Sequence, residues 1–208
     1  FGAAMSETGH IGFLGGQESP LIQDFLLGYI QGALSVNPDV KVAVSWVGNY
    51  TDSAKGKELA LAQYRSGVDI GFNVAGGAGL GQIDAAVDMG KLAFGVDSDQ
   101  AMLFHEANPE KAKVIPTSMI KNVGQAIFDI TVRHMEGTAV WGEPLSLGVA
   151  EGAIGIADNQ YYQSMVPQEL RDMTSENIEK IKNGTVVVDT AYGKTPEELA
   201  KIIHAVAP

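Results

Sequence analysis

The chain has 208 residues, 45% of them hydrophobic, with 25 glycines, 8 prolines and no cysteine, a composition typical of an α/β protein with one large or two small domains. Its formal net charge of −11 argues against a nucleic-acid partner, because a negative surface repels phosphate and no block of Lys and Arg offsets that repulsion. The absence of cysteine excludes disulfides, thiolate nucleophiles and thiolate metal sites.

The first half of the chain repeats a strand–helix unit. Amphipathic stretches that begin after Ser19-Pro20, at Thr51-Asp52 and near Leu80 predict a helix after each of the first three strands. Three such units in succession predict a parallel, right-handed, doubly wound sheet in a three-layer αβα arrangement. Apolar runs place the strands at 10–16, 40–48, 68–75 and 92–96.

The second half is less regular, because Asn108-Pro109 and Ile115-Pro116 interrupt it. Its pattern predicts a short β segment, a helix that Thr117 caps, a glycine-rich β pair, a polar helix and one more strand. The last helix opens with a capping box at Thr195–Glu198. The predicted ranges are 113–115, 117–136, 145–158, 175–182 and 185–188.

Two of the predicted strands stop abruptly in glycine or aspartate. They are VDIGFNVAGGAG (68–79) and KLAFGVDSDQ (91–100). In open α/β sheets, ligands bind just beyond the carboxyl ends of the strands. We therefore expect Phe72 to Gly79 and Asp97 to Gln100 to form the floor of a binding site.

Each of these residues also has a plainer interpretation. The GGAGLG stretch (76–81) resembles a dinucleotide-binding turn, but position 82 is Gln where the third glycine of that fingerprint belongs. Asp97 and Asp99 suit vicinal hydroxyls, or they are turn and cap residues. Phe72 either stacks on a base or packs in the core.

No catalytic or metal-binding pattern is visible. The four histidines have no partner at ligand spacing, so no metal site is expected. Neither a G-x-S-x-G elbow nor a Walker A loop occurs, and paired carboxylates are confined to surface and cap positions. We expect neither an enzyme nor a cofactor.

Five segments in order resemble the basic membrane protein family of bacterial substrate-binding lipoproteins, over residues 1 to about 190. They read GFLGGQESPLIQDFLLGYIQG, VGNYTDSAKGKELALAQY, VAGGAGLG, GVDSDQ and TSMIKNVG. The resemblance implies a type I periplasmic-binding-protein-like fold that holds a nucleoside between two lobes and delivers it to an ABC transporter permease. It also implies an extracytoplasmic location, with a lipid anchor outside this sequence as the link to the membrane.

The resemblance implies a ligand wall as well, with aromatic stacking on the base and with carboxylates and a lysine on the ribose. The positions that match the family's motifs are Gln17, Tyr50, Phe72, Val74, Ala75, Gly76, Asp97 and Lys121.

Members of the family carry a further lobe before the equivalent of Ile11, so we expect this chain to lack most of its first lobe. Residues 1–9 would end a first-lobe or hinge helix, 10–112 and 145–190 would form the second lobe, 117–143 would belong to the first, and 191–208 would add a C-terminal helix. The helix at 117–136 would then expose its apolar face, which favours self-association.

A second interpretation stays open. Regulators and receptors use the same architecture for ligand-sensing domains, and a fold alone does not fix function. A nucleoside-processing enzyme would need a general acid or nucleophile that the sequence does not offer.

Overall fold

Four parallel strands form the main sheet of the computed structural model, which describes residues 1–143 and 145–208. The strands are β1 (His10–Gly15), β2 (Lys41–Trp46), β3 (Ile70–Val74) and β4 (Leu92–Phe94), and their order in the sheet is β2-β1-β3-β4. From β1 the chain moves outward to β2 and then crosses back to β3 on the other side of β1. The topological switch point therefore lies between β1 and β3, where such sheets open a crevice at their carboxyl edge.

Helices cover both faces of this sheet, so the predicted doubly wound, three-layer αβα class is confirmed. One face packs against the helices Pro20–Leu34 and Pro196–Ala205, and the other against the helices Ser53–Arg65 and Leu80–Met89. The helices are α1 (Gly2–Met5), α2 (Pro20–Leu34), α3 (Ser53–Arg65), α4 (Leu80–Met89), α5 (Gln100–Phe104), α6 (Pro109–Ala112), α7 (Val123–Met135), α8 (Gln160–Met165), α9 (Gln168–Lys182) and α10 (Pro196–Ala205).

Local signals explain where several of these helices begin and end. The Asp52 side chain accepts the Lys55 N–H at 2.9 Å and so caps α3. Gly90 ends α4 with φ +61°, a left-handed conformation that glycine adopts without steric cost. The capping box predicted at Thr195 and Glu198 is present at the start of α10.

The predictions for residues 113–121 were wrong, because both the strand and the helix begin later in the chain than expected. Residues 113–115 lie in a turn, and the strand forms later as β5 (Met119–Lys121). Thr117 does not cap a helix, because its hydroxyl donates instead to the Ala157 carbonyl at 2.8 Å. Helix α7 consequently begins only at Val123.

Further differences occur towards the C-terminus. Within 145–158 the described residues form one strand, β6 (Ile154–Ile156), which pairs antiparallel with β5 and not within its own segment. Residues 185–188 form no strand, because the Gln31 side chain satisfies the Val187 carbonyl and the Asp189 N–H. Helix α8 was not predicted, and α9 begins at Gln168, seven residues before the predicted start.

None of the side chains of helix α7 is buried. Val123, Ile127 and Phe128 are 50%, 60% and 63% exposed, and Met135 is 82% exposed. This exposure agrees with the expectation for a helix that belongs elsewhere, but the division of the chain into lobes stays a prediction. None of the described helices is long and apolar enough to cross a membrane.

Candidate functional site

The turns after β1 and β3 meet at the switch point, and the loop after β2 closes over them. The Tyr50 ring lies on Gly16, where a Cβ would come within 2.3 Å of Tyr50 Cε1. Tyr50 also accepts the Ala78 N–H at its carbonyl, at 3.0 Å. Its side chain remains 37% exposed at the carboxyl edge of the sheet. A tyrosine held in this way can offer one ring face to a ligand.

Gln17 and the turn after β3 border the same crevice. Gln17 is exposed, and its Nε2 lies 3.4 Å from the Gly48 carbonyl oxygen. Ala75 is fully buried, whereas Gly76 is exposed with φ +55°. Gly76 opens a 3₁₀ turn that ends at Gly79, and the first N–H groups of such a turn have no partner within it.

Phe72 lies away from this crevice, in the core beneath α2. It is 8% exposed, and its ring centroid is 5.4 Å from that of Tyr29, 6.0 Å from that of Phe13 and 6.5 Å from that of Phe25. Val74 is 4% exposed in the same cluster. The structure therefore favours the core-packing interpretation of Phe72 over stacking on a base.

The glycines of GGAGLG serve close packing. A Cβ at Gly79 would lie 2.7 Å from Asn73 Oδ1, and one at Gly81 would lie 2.1 Å from the Ser53 carbonyl oxygen on α3 and 2.4 Å from the Lys57 nitrogen. Gly81 thus lets α4 approach the backbone of α3. This contact explains the glycines without a dinucleotide.

Asp97 lies just after β4 in a strained turn. Its φ of +66° is the only positive value at a non-glycine residue in the described part of the chain. The Ser98 N–H donates to the Val96 carbonyl across it at 2.8 Å, which is the hydrogen bond of the rare γ-turn.

Lys121 on β5 holds Asp97 at two points. Lys121 Nζ lies 2.7 Å from Asp97 Oδ1, and the Lys121 N–H donates to the Asp97 carbonyl at 3.0 Å. The two side chains are 49% and 46% exposed, so the pair can reach a ligand.

The ion pair by itself does not explain the strain of this turn. A half-exposed ion pair contributes about 0–1 kcal/mol to stability, whereas a residue with a Cβ in such a backbone conformation costs about 1–3 kcal/mol. The ion pair does not offset that cost. Strain of this kind is typical of binding and catalytic positions.

Asp99 has the structural role that the sequence allowed. Its carboxylate accepts the Met102 N–H at 3.1 Å, which caps α5, and both of its oxygens accept from Asn159 Nδ2. Asp97 is therefore the carboxylate of this motif that remains available for a ligand.

Two features were missed from the sequence. A buried polar group formed by Asn73, Gln100 and Ser118 lies beneath the Asp97 turn, and Asn73 within an apolar run was the available signal. A groove of about 510 Å³ follows the outer edge of β2 between Trp46, Tyr192 and α10. No sequence signal indicated the groove, because α10 forms it from the far end of the chain. Among the described residues, no cluster of three potential metal ligands occurs.

A family model described as "ABC transporter substrate-binding protein PnrA-like" matches residues 1–190. The chain belongs to this family. Its members bind substrates and are not enzymes. The resemblance read from the five motifs is thereby confirmed.

Curated relatives agree with this assignment. Basic membrane protein A of Borreliella burgdorferi is 33% identical over 189 residues, which cover 89% of this chain and 53% of the relative. The ABC transporter nucleoside-binding protein BmpA of Lactococcus lactis subsp. cremoris is 30% identical over 197 residues, covering 89% of this chain and 54% of the relative. The chain thus spans about half the length of the curated relatives it matches.

Solved structures share the fold of this chain. A transcriptional activator of the comK gene from Bacillus halodurans superposes with a TM-score of 0.75 at 25% identity, over 94% of this chain and 61% of the other. An ABC transporter solute-binding protein from Conexibacter woesei superposes with a TM-score of 0.72 at 18% identity, over 91% and 60% of the two chains.

Proposed function

We propose that this protein binds a nucleoside at the carboxyl edge of the sheet and delivers it to an ABC transporter permease. The observation that carries the proposal is the Asp97–Lys121 pair, half exposed at the same carboxyl edge of the sheet where the Tyr50 ring is exposed. The family is one of substrate-binding proteins, and the Lactococcus relative is named for nucleoside binding.

The chemistry of the pair suits a ribose. A carboxylate accepts hydrogen bonds from two neighbouring hydroxyls, and an ammonium donates to a hydroxyl or ring oxygen. Because Asp97 and Lys121 largely neutralise each other, the pair has no net charge to attract a phosphate. This favours a nucleoside over a nucleotide.

The base would bind on the other side of the crevice. The exposed Tyr50 ring would stack on the base, while Gln17 and the N–H groups of the turn at Gly76 would bind its polar edge. Ala75 would close the floor, and Phe72 and Val74 would support it from the core. A first lobe would supply the opposite wall, and the lobes would close upon binding. The segment 117–143 predicted for that lobe would start beside Asp97, at Lys121, and enter the first lobe with α7.

In the cell, we propose an extracytoplasmic location, with membrane attachment through a lipid anchor outside this sequence. The most direct test is mass spectrometry of small molecules released when the full-length protein, purified from its native host, is denatured. We expect a purine or other nucleoside at near-stoichiometric amount. Release of a sugar or an amino acid instead would overturn the choice of ligand.

A ligand-sensing regulatory domain is the second candidate, and the likeness to a structure described as a transcriptional activator favours it. Deletion of the gene separates the two functions. Loss of labelled nucleoside uptake supports the importer component, whereas unchanged uptake with altered transcription supports the sensor.

A further inference from the structure

Buried polar side chains lie directly beneath the Asp97 turn. Asn73 on β3, Gln100 at the start of α5 and Ser118 before β5 are 0%, 9% and 0% exposed. Buried polar groups are costly unless hydrogen bonds satisfy them. Their meeting under a strained turn therefore calls for an explanation.

One hydrogen bond of this group reaches Val96, the residue before Asp97, and the others hold Gln100, whose side chain makes that bond. Gln100 Oε1 accepts the Val96 N–H at 3.2 Å and Asn73 Nδ2 at 3.2 Å. Ser118 Oγ in turn accepts the Gln100 N–H at 3.1 Å. The Gln100 side chain thus fixes the chain at Val96, immediately before the strained residue.

Gly95 makes the room that these bonds require. A Cβ at Gly95 would lie 2.2 Å from Ser118 Oγ and 2.9 Å from Gln100 Oε1, so any other residue would displace one of the two. On the far side of the turn, the Lys121 N–H holds the Asp97 carbonyl. The turn is therefore anchored on both sides, and Gln100 provides the anchor before it.

We propose that Gln100 is a positioning residue that sets the specificity of the site for ribose hydroxyls. This inference rests on the proposed nucleoside binding. Gln100 is too buried to touch the ligand, but its bond to Val96 keeps Asp97 in a left-handed conformation that a residue with a Cβ otherwise avoids. Without that bond the turn relaxes, and the Asp97 carboxylate no longer faces the hydroxyls.

The test compares two ligands and two matched variants of the full-length protein by calorimetry. The ligands are inosine and 2′,3′-dideoxyinosine, which lacks the vicinal 2′ and 3′ hydroxyls and keeps the 5′ hydroxyl. Gln100→Met removes the acceptor at constant size, and Gln82→Met does the same on α4, where neither amide atom of the fully buried Gln82 has a hydrogen-bond partner among the described residues.

For Gln100→Met, we expect inosine affinity to fall about 10-fold or more, as when a charged hydrogen-bonding group is misplaced. Affinity for the dideoxynucleoside should change by less than about 2-fold, because this ligand lacks the hydroxyls that the Asp97 carboxylate would bind. Gln82→Met should bind both ligands as the wild type does. Equal losses for both ligands, or no loss for inosine, would overturn the inference.

A double variant separates positioning from general damage. In an Asp97→Asn background, Gln100→Met should cost no further inosine affinity, because the carboxylate that it positions is already absent.

If Gln100→Met does not fold, Ser118→Ala, which removes the acceptor of the Gln100 N–H, should show the same selective loss. Wild-type protein that ignores inosine, or an Asp97→Asn variant that binds normally, would overturn the proposed function itself.

Discussion

Asp97 and Lys121 are joined through both their side chains and their main chains. The ammonium lies 2.7 Å from the carboxylate, and the Lys121 N–H donates to the Asp97 carbonyl at 3.0 Å. A single residue, Asn122, separates Lys121 from α7. A displacement of α7 would therefore move Lys121, which is the partner of the proposed ribose-binding carboxylate of Asp97.

Asp97→Asn should lower nucleoside affinity about 10- to 100-fold, because a charged acceptor is lost. The matched control is Asp88→Asn, since Lys57 and Asp88 form another exposed pair at 2.7 Å on α3 and α4. Each variant should change the free energy of unfolding by less than about 1 kcal/mol. Calorimetry and urea titration measure the two quantities, and equal affinity losses for both variants would contradict the assignment.

Tyr50→Ala should weaken nucleoside binding about 5- to 100-fold, the range for loss of one stacked base. Tyr50→Phe should bind within about 3-fold of the wild type, because the ring face is kept. Phe72→Leu serves as the comparison. It should lower the free energy of unfolding by about 1–2 kcal/mol through poorer packing while affinity stays unchanged, and a large affinity loss there would restore Phe72 as a stacking residue.

Gly81→Ala should destabilise the protein by about 1–3 kcal/mol. The added Cβ would fall on α3 backbone atoms, which cannot rotate away. Gly32→Ala on α2 is the control, because no atom lies within 4 Å of its added Cβ, and it should stabilise the protein by about 0.5–1 kcal/mol. Thermal unfolding of both variants checks the pair, and a stable Gly81→Ala would contradict the close helix contact.

Stability should decrease as the pH falls below about 6.5, with His10 as one cause. Burial lowers the pKa of His10 from its ordinary value of 6.5, and the Ser66 backbone and Asp69 only partly oppose this. The unfolded chain therefore binds a proton first, so stability is lost between 6.5 and the lower folded pKa as the pH falls. Urea titrations from pH 5 to 7 should show a flatter dependence for His10→Gln than for the wild type, and an unchanged dependence would contradict the role of His10.

The 208-residue chain should self-associate through α7. Ile127 and Phe128 expose large apolar surfaces on this helix, being 60% and 63% exposed, and a second copy would cover them. Ile127→Glu should shift the chain to monomer in sedimentation experiments, whereas Val187→Glu, at a site 76% exposed elsewhere, should not. A wild-type chain that stays monomeric at high concentration would contradict the prediction.

The elements that the sequence predicted well are those whose signals are local. Strands β1 to β3 have at least five residues each and follow apolar runs bounded by turn residues. The helices between them begin at local signals, Pro20 for α2 and the Asp52 cap for α3. The short strands β5 and β6 have three residues each and form only through each other. The hydroxyl of Thr117 likewise donates to the Ala157 carbonyl, 40 residues away, and does not cap the local helix that the pattern suggested.

The candidate site likewise combines features that have local sequence signals with features that depend on residues distant in the chain. The doubly wound sheet, the family and the two strand ends from which Gly76 and Asp97 project could be predicted from the chain alone, because they depend on the periodicity and composition of neighbouring residues. The three-dimensional packing was needed to show that Phe72 faces the core, that Lys121 joins Asp97 and that Gln100 bonds the turn from beneath. Those contacts join residues far apart in the chain, and their partners are set by packing and by the need to satisfy buried polar groups.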